Sequence, residues 1–222
     1  SLKSSIYNKK ENKRKEKMSD TPYQSYEIDR KHFNKSFFDM WDAPYKRFVC
    51  SFGGSGSGKS HSITQLEILK LLQKKEKLLV VRKIAATLKT SVIEAFVCQL
   101  NQWEIPFKQN LTDRTIKFKN GSSILFLGIS DSERLKSIKG ITRCFIEEAT
   151  ELDEDDLLEI NRRIRGKEIK NPQITLAWNP TSNSHWLRSH FFDKDNAYET
   201  HREDAVVFHS TYKDNKFLDD EY

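Results

Sequence analysis

The sequence predicts an α/β fold: a mainly parallel sheet flanked by helices, with an antiparallel hairpin at one edge. Three observations predict it. A glycine-rich loop, Gly53-Gly54-Ser55-Gly56-Ser57-Gly58-Lys59-Ser60, lies between a short apolar run at 47–52 and a helical stripe of Ile63, Leu66, Leu69 and Leu72. Apolar runs at 78–81 and 144–146 suit strands covered on both faces of a parallel sheet. Asn120-Gly121 separates two strand-like runs, 115–119 and 123–127, which is a strong hairpin signal.

With 222 residues the chain can fill one sizeable core, and no apolar run is long enough to span a bilayer. No secretory signal pattern opens it. The formal charge is +6, but residues 1–20 hold seven Lys/Arg and three Asp/Glu, which leaves only +2 for the rest. The basic total is therefore weak evidence for a basic face on the folded part. Residues 1–20 read as a flexible basic tail, either solvated or touching DNA, and Met18 offers an alternative start. Residues 21–222 read as one domain. Cys50, Cys98 and Cys144 lack metal-like spacing and read as reduced core thiols. His185 and His190 are five apart and do not share a helix face, which argues against a metal site.

Along the chain, residues 21–46 are rich in aromatics. Most read as packing, with Trp41 and Tyr45 kept as candidates for the adenine side of a nucleotide. The strand at 78–82 ends in Arg82, which is placed to touch nucleotide or a neighbouring subunit, or to form a structural ion pair. Val92, Phe96, Leu100 and Trp103 predict a helix that stops before Pro106. Residues 132–139 read as a short helix or loop carrying Arg134, Lys136 and Lys139. A helix with Leu157, Leu158 and Ile160 ends in Arg162, Arg163, Arg165 and Lys167, either a DNA-backbone contact or a solvated helix end. Strands follow at 173–178, ended by Asn179-Pro180, and at 205–208.

The chemistry concentrates in two stretches. The loop fits G-x-x-x-x-G-K-[ST], and its glycines let backbone N–H groups approach a polyphosphate. In that role Gly53, Gly54, Ser55, Gly56, Ser57 and Gly58 cradle the phosphates of ATP. Lys59 reaches the β- and γ-phosphates and Ser60 ligates Mg²⁺. The second stretch is Cys144-Phe145-Ile146-Glu147-Glu148, a strand ending in two acids. Glu147 is assigned to the metal, through water, and Glu148 to orienting or deprotonating an attacking water. The second acid argues for hydrolysis over transfer to a hydroxyl. Two blemishes remain: Glu147 is not the commoner Asp, and Arg143 interrupts the apolar run. An acidic helix cap is the plain alternative, since acids follow through Asp156. If the 173–178 strand lies between the loop strand and the acidic strand, as in the hydrolytic, additional-strand branch of P-loop ATPases, Asn179 stands near the γ-phosphate.

The order of these motifs resembles the large terminase subunit of tailed bacteriophages. The resemblance runs from about Phe38 to Tyr222. It rests on the loop, Val81-Arg82-Lys83, Leu135-Lys136-Ser137-Ile138-Lys139-Gly140-Ile141-Thr142, Ile146-Glu147-Glu148-Ala149-Thr150, Trp178-Asn179-Pro180 and Tyr212-Lys213-Asp214-Asn215. It implies an ATP- and Mg²⁺-dependent motor that drives double-stranded viral DNA through a portal protein into a procapsid, in the host cytoplasm. It implies a homo-oligomeric ring, usually a pentamer, a small terminase subunit as partner, and a basic residue supplied by the neighbouring subunit. It also implies a C-terminal nuclease domain. Residues 21–222 correspond to the motor domain, and no second acidic constellation among them supports DNA cleavage. Many relatives carry Arg where Ser55 stands, so a trans-acting role falls to Lys139, Arg134 or Arg82. Asn179 matches the family's coupling motif. Other hydrolytic P-loop translocases, and a nucleotide-dependent assembly module, are the competing readings.

Overall fold

The structure, a computed structural model, describes residues 26–84, 91–164, 169–180, 182–194, 196 and 198–218. The basic tail at 1–20, Tyr23, Arg165 and Lys167 lie outside the described residues.

One eight-stranded sheet organises the chain. Its strands are β1 (Phe48–Gly53), β2 (Lys77–Arg82), β3 (Phe107–Asn110), β4 (Thr115–Phe118), β5 (Ser123–Gly128), β6 (Arg143–Ile146), β7 (Gln173–Trp178) and β8 (Ala205–Ser210). Their spatial order is β3-β4-β5-β2-β6-β7-β1-β8. β5, β2, β6, β7, β1 and β8 pair in parallel, while β3–β4 and β4–β5 are antiparallel. The Asn-Gly hairpin is thus β4–β5. β3 was not expected: three of its four residues are exposed, so it has no apolar alternation to betray it.

Alternation along the buried strands builds two cores. Val49, Leu78, Val80, Phe126 and Phe145 face α1 (Lys35–Asp42), α2 (Lys59–Gln73) and α3 (Ile93–Gln102). Cys50, Leu79, Val81, Cys144 and Ile146 face α4 (Ser132–Ser137), α5 (Glu154–Arg163) and α6 (Trp186–Phe191). Both faces must be covered because every β1 residue is buried. No helix among the described residues is long and apolar enough to cross a membrane.

Arg143 is no blemish. It is buried and donates through Nε to Glu67 Oε2 at 2.6 Å and through Nη2 to Glu67 Oε1 at 3.0 Å. Gln173 Oε1 accepts from the same guanidinium at 2.8 Å, and Thr175 Oγ1 donates to Glu67 at 2.9 Å. Glu67 sits on α2, Arg143 on β6, and Gln173 and Thr175 on β7. Two charges taken from water are tolerable only when paired and hydrogen-bonded in this way. Arg143→Ala is expected to cost about 3–5 kcal/mol in denaturant unfolding, because it strands a buried carboxylate. Arg143→Met combined with Glu67→Leu should cost less than the single change. A single variant within about 1 kcal/mol of wild type would contradict the pairing.

The three cysteines do not behave alike. Cys50 and Cys144 are buried, and burial pushes both thiols up. Cys98 is exposed, against the expectation of three core thiols. A thiol reagent should therefore label one cysteine at once in the native chain and the other two only on unfolding. Rapid labelling of two would contradict this packing.

Candidate active site

The residues singled out for chemistry meet at the carboxyl ends of four neighbouring strands. β1 runs into the glycine loop, β2 ends at Arg82, β6 stops before Glu147 and β7 before Asn179. β7 is inserted between β6 and β1, which brings Asn179 between the loop and the acids.

Sterics dictate the loop. β8 lies so close to β1 that a Cβ on Gly53 would run into the Ser210 carbonyl. Gly58, the N-cap of α2, has φ +75°, and a Cβ there would sit 2.5 Å from the Asn34 side-chain nitrogen. No side chain caps α2, so the N–H groups of its first turn face the ligand side unspent. A Cβ on Gly54 would meet nothing within 4 Å, so no protein neighbour requires glycine there. That open space suits a phosphate oxygen approaching the backbone.

Lys59 is nearly buried and spans the cleft. Its ammonium donates to Asn179 Oδ1 at 2.8 Å and to the Gly54 carbonyl at 3.3 Å. Burial pulls its pKa below the usual lysine range, while the charges of Glu148 and Glu147 oppose that fall. Glu147 extends the β6–β2 ladder through its N–H to Val81 O at 3.0 Å. Its carboxyl is raised, first by burial. Arg82 opposes the rise, Glu148 adds to it, and the Ser60 hydroxyl and Lys59 oppose it. Glu147 Oε2 is buried without a hydrogen bond.

Ser60 and Glu147 are thus in contact, and an orphaned carboxylate oxygen lies beside them. An all-oxygen pair of this kind fits Mg²⁺. Among the described residues no cluster of three His, Cys, Asp or Glu could hold a metal, so a cation here would complete its shell from phosphate and water.

Glu148 adopts φ 53°, ψ 52°, the left-handed region that a non-glycine residue occupies at a cost of about 1–3 kcal/mol. The turn swings the chain from β6 into a 3₁₀ turn at Ala149–Glu151 and sets Glu148 beside Glu147 and Lys59. An ordinary acidic cap needs no such backbone. The capping acids are Asp153 and Asp156, which form a capping box on α5.

Other candidates fall elsewhere. Arg82 takes the structural alternative, with Nε 3.9 Å from Glu147 and Nη2 3.7 Å from Glu151. Arg134 donates to the Asp113 carbonyl at 2.7 Å, and Lys139 is exposed. Neither adenine candidate faces the loop. Trp41 stacks on Phe37 with Lys70 over its ring, and Lys70 lies in the last turn of α2. The Tyr45 hydroxyl donates to Pro172 O, just before β7 and so at the opposite sheet edge. Arg163, in the cluster read either as a DNA-backbone contact or as a solvated helix end, pairs with Glu159. The His190 ring faces Glu154 and Arg202, and that of His185 faces the Thr150 carbonyl.

Because burial raises Glu147, folding favours its protonated form. That contribution is full below the ordinary glutamate value of 4.5 and is lost as pH rises through the raised one. At neutral pH the ionised carboxylate therefore carries a folding cost. Glu147→Gln should stabilise the nucleotide-free chain by about 0.5–2 kcal/mol at pH 7, with the gain shrinking toward pH 4. A variant less stable than wild type at pH 7 would contradict this assignment.

The glycine loop opening a helix, the acid pair ending a strand and the strand inserted between them define a P-loop NTPase of the additional-strand branch. Residues 45–222 match the family model described as phage terminase large subunit, and the chain belongs to that family. It is 31% identical over 212 residues to the PBSX phage terminase large subunit of Bacillus subtilis (strain 168), covering 86% of this chain and 46% of that protein. It is 26% identical over 211 residues to the large terminase subunit of Bacillus phage SPP1, covering 84% and 46%. The chain thus spans about half the length of these curated relatives. The large terminase of a thermophilic bacteriophage shares the fold, with a TM-score of 0.71 over 85% of this chain and 48% of that one, at 17% identity.

Proposed function

We propose that this chain hydrolyses ATP and that the cycle drives double-stranded viral DNA into a procapsid. The observation that carries the reading is the Lys59–Asn179 bond, with the two glutamates beside it. The ammonium is shared between Asn179 and the Gly54 carbonyl of the loop. With ATP bound, Lys59 turns to the β- and γ-phosphate oxygens, and its bond to Asn179 is given up. Asn179 then reports whether a γ-phosphate is present, and β7 carries that report into the sheet. Glu148 orients and deprotonates the attacking water, and its fixed backbone aims the carboxylate before substrate arrives. Glu147 and Ser60 would hold Mg²⁺, which would offset charge on the phosphates.

The terminase of the same thermophilic phage has been solved with ADP and with ATP-γ-S, and the φ29 packaging motor assembly also shares the fold. These support a nucleotide-driven packaging role; the reading adds DNA, a portal protein, a small terminase subunit and a ring of identical subunits as partners, and the host cytoplasm as the place of action. Arg82 and Arg134 already have partners within the chain, so exposed Lys139 is the preferred basic residue to reach a neighbour's site.

The test is ATPase rate against protein concentration, with and without double-stranded DNA, for wild type and Glu148→Gln. Wild type should turn over faster per subunit as concentration rises and in the presence of DNA. Glu148→Gln should keep nucleotide binding and lose about 10²–10⁴-fold in rate. Hydrolysis near the wild-type rate in the variant would remove Glu148 from the chemistry. A rate indifferent to both concentration and DNA would argue against a shared-site motor.

A further inference from the structure

The motif 212–215 and the fully buried Asn34 have no part in the chemistry above, yet they meet at the phosphate loop. Asn34 occupies the N-cap of α1 but makes no side-chain capping bond there. Its amide is committed elsewhere: Nδ2 donates to Asn215 Oδ1 at 3.1 Å, and Oδ1 accepts from the Lys216 N–H at 3.3 Å. An N-cap asparagine that leaves its helix uncapped forgoes the ordinary stability of a capping bond. Asn215 completes the chain by donating from Nδ2 to the Gly56 carbonyl at 2.8 Å, and its Oδ1 also accepts from the Phe217 N–H at 3.2 Å.

The two asparagines, 181 residues apart, therefore tie the loop to the N-cap of α1 and to the turn after β8. Asn215 fixes the Gly56 carbonyl through its amide. Asn34 and Asn215 both pack against the position where Gly58 lacks a Cβ. Gly56 and Gly58 are the two left-handed residues of the loop, at φ 73° and 75°. Glycine is the residue with most freedom to leave such a conformation, so a loop of this composition needs an outside hold to keep its N–H groups convergent.

We infer that Asn34 and Asn215 are positioning residues that set the 56–58 turn in its phosphate-binding shape before nucleotide arrives. This rests on the nucleotide-site reading above. Neither side chain need touch the nucleotide. They act through Gly56 and Gly58, so their loss should weaken phosphate binding far more than it slows the chemical step.

The test is titration of the chain with a fluorescent N-methylanthraniloyl ADP in the presence of Mg²⁺, alongside thermal unfolding and ATPase assays. Asn215→Ala should raise Kd about tenfold and leave kcat at saturating ATP within about threefold. Asn34→Ala should do the same, and the double variant should be no worse than about twofold beyond either single, since the two act through one network. Asn120→Ala is the control. Asn120 bonds the Leu71 carbonyl, at the far end of the same helix α2, at 2.7 Å. It should lower the unfolding temperature without moving Kd. If Asn215→Ala loses stability as Asn120→Ala does but keeps Kd within about twofold of wild type, the pair merely ties distant parts of the chain, and the inference is overturned. Asn215 lies on the half-buried outer turn, so it decides the matter even if Asn34→Ala does not fold. If wild type itself binds no nucleotide, or binds it equally well as Lys59→Ala, the nucleotide-site reading falls, and this inference with it.

Discussion

The Arg143–Glu67 pair is the constraint on which the geometry of the site depends. The loop helix α2, the acid strand β6 and the strand β7 that ends at Asn179 each contribute to it. Hydrophobic contacts alone could hold a helix on a sheet in several sliding positions, because apolar packing is not directional. A bidentate guanidinium–carboxylate bond is directional, and breaking it inside a core is costly. One node therefore indexes Lys59 and Ser60 at the start of α2 against Glu147 beyond β6 and Asn179 beyond β7.

The site is held under tension. Glu148 occupies a left-handed backbone conformation, Glu147 keeps an unsatisfied buried oxygen, and Lys59 is drawn toward deprotonation by burial. Each feature costs folding energy. Such costs are common where function and stability compete.

Much of this was legible in the sequence. The loop's spacing follows from phosphate chemistry, and its strand–loop–helix context could be checked from apolar pattern alone; the acid pair ends an apolar run, and Asn179 could be placed only on the condition, met by the strand order, that its strand lies between the other two. What was missed is non-local or lacks a pattern. β3 is an exposed edge strand defined only by its bonds to β4. Arg143 looked like a flaw because its partner Glu67 hides among the apolar residues of α2, a charge on a buried face that could have been the clue. Trp41 and Tyr45 were judged by nearness in sequence, whereas the turn of the chain into β1 carries them away from the loop. Asn34 gave no signal, since an asparagine before a helix reads as an ordinary cap.

The placement of β1 also has a consequence for the order in which the protein is made. Its two sheet neighbours, β7 and β8, begin only at Gln173 and Ala205. A growing chain therefore emerges from the ribosome with its loop strand unpaired on both sides, while β2, β5 and β6 already have one another. Long-range parallel pairing is slow to form, and an open strand edge invites wrong partners. The loop end of the sheet is thus the last part of the domain to close. A half-synthesised chain carries the intact loop sequence but neither of the strands that hold β1 in the sheet.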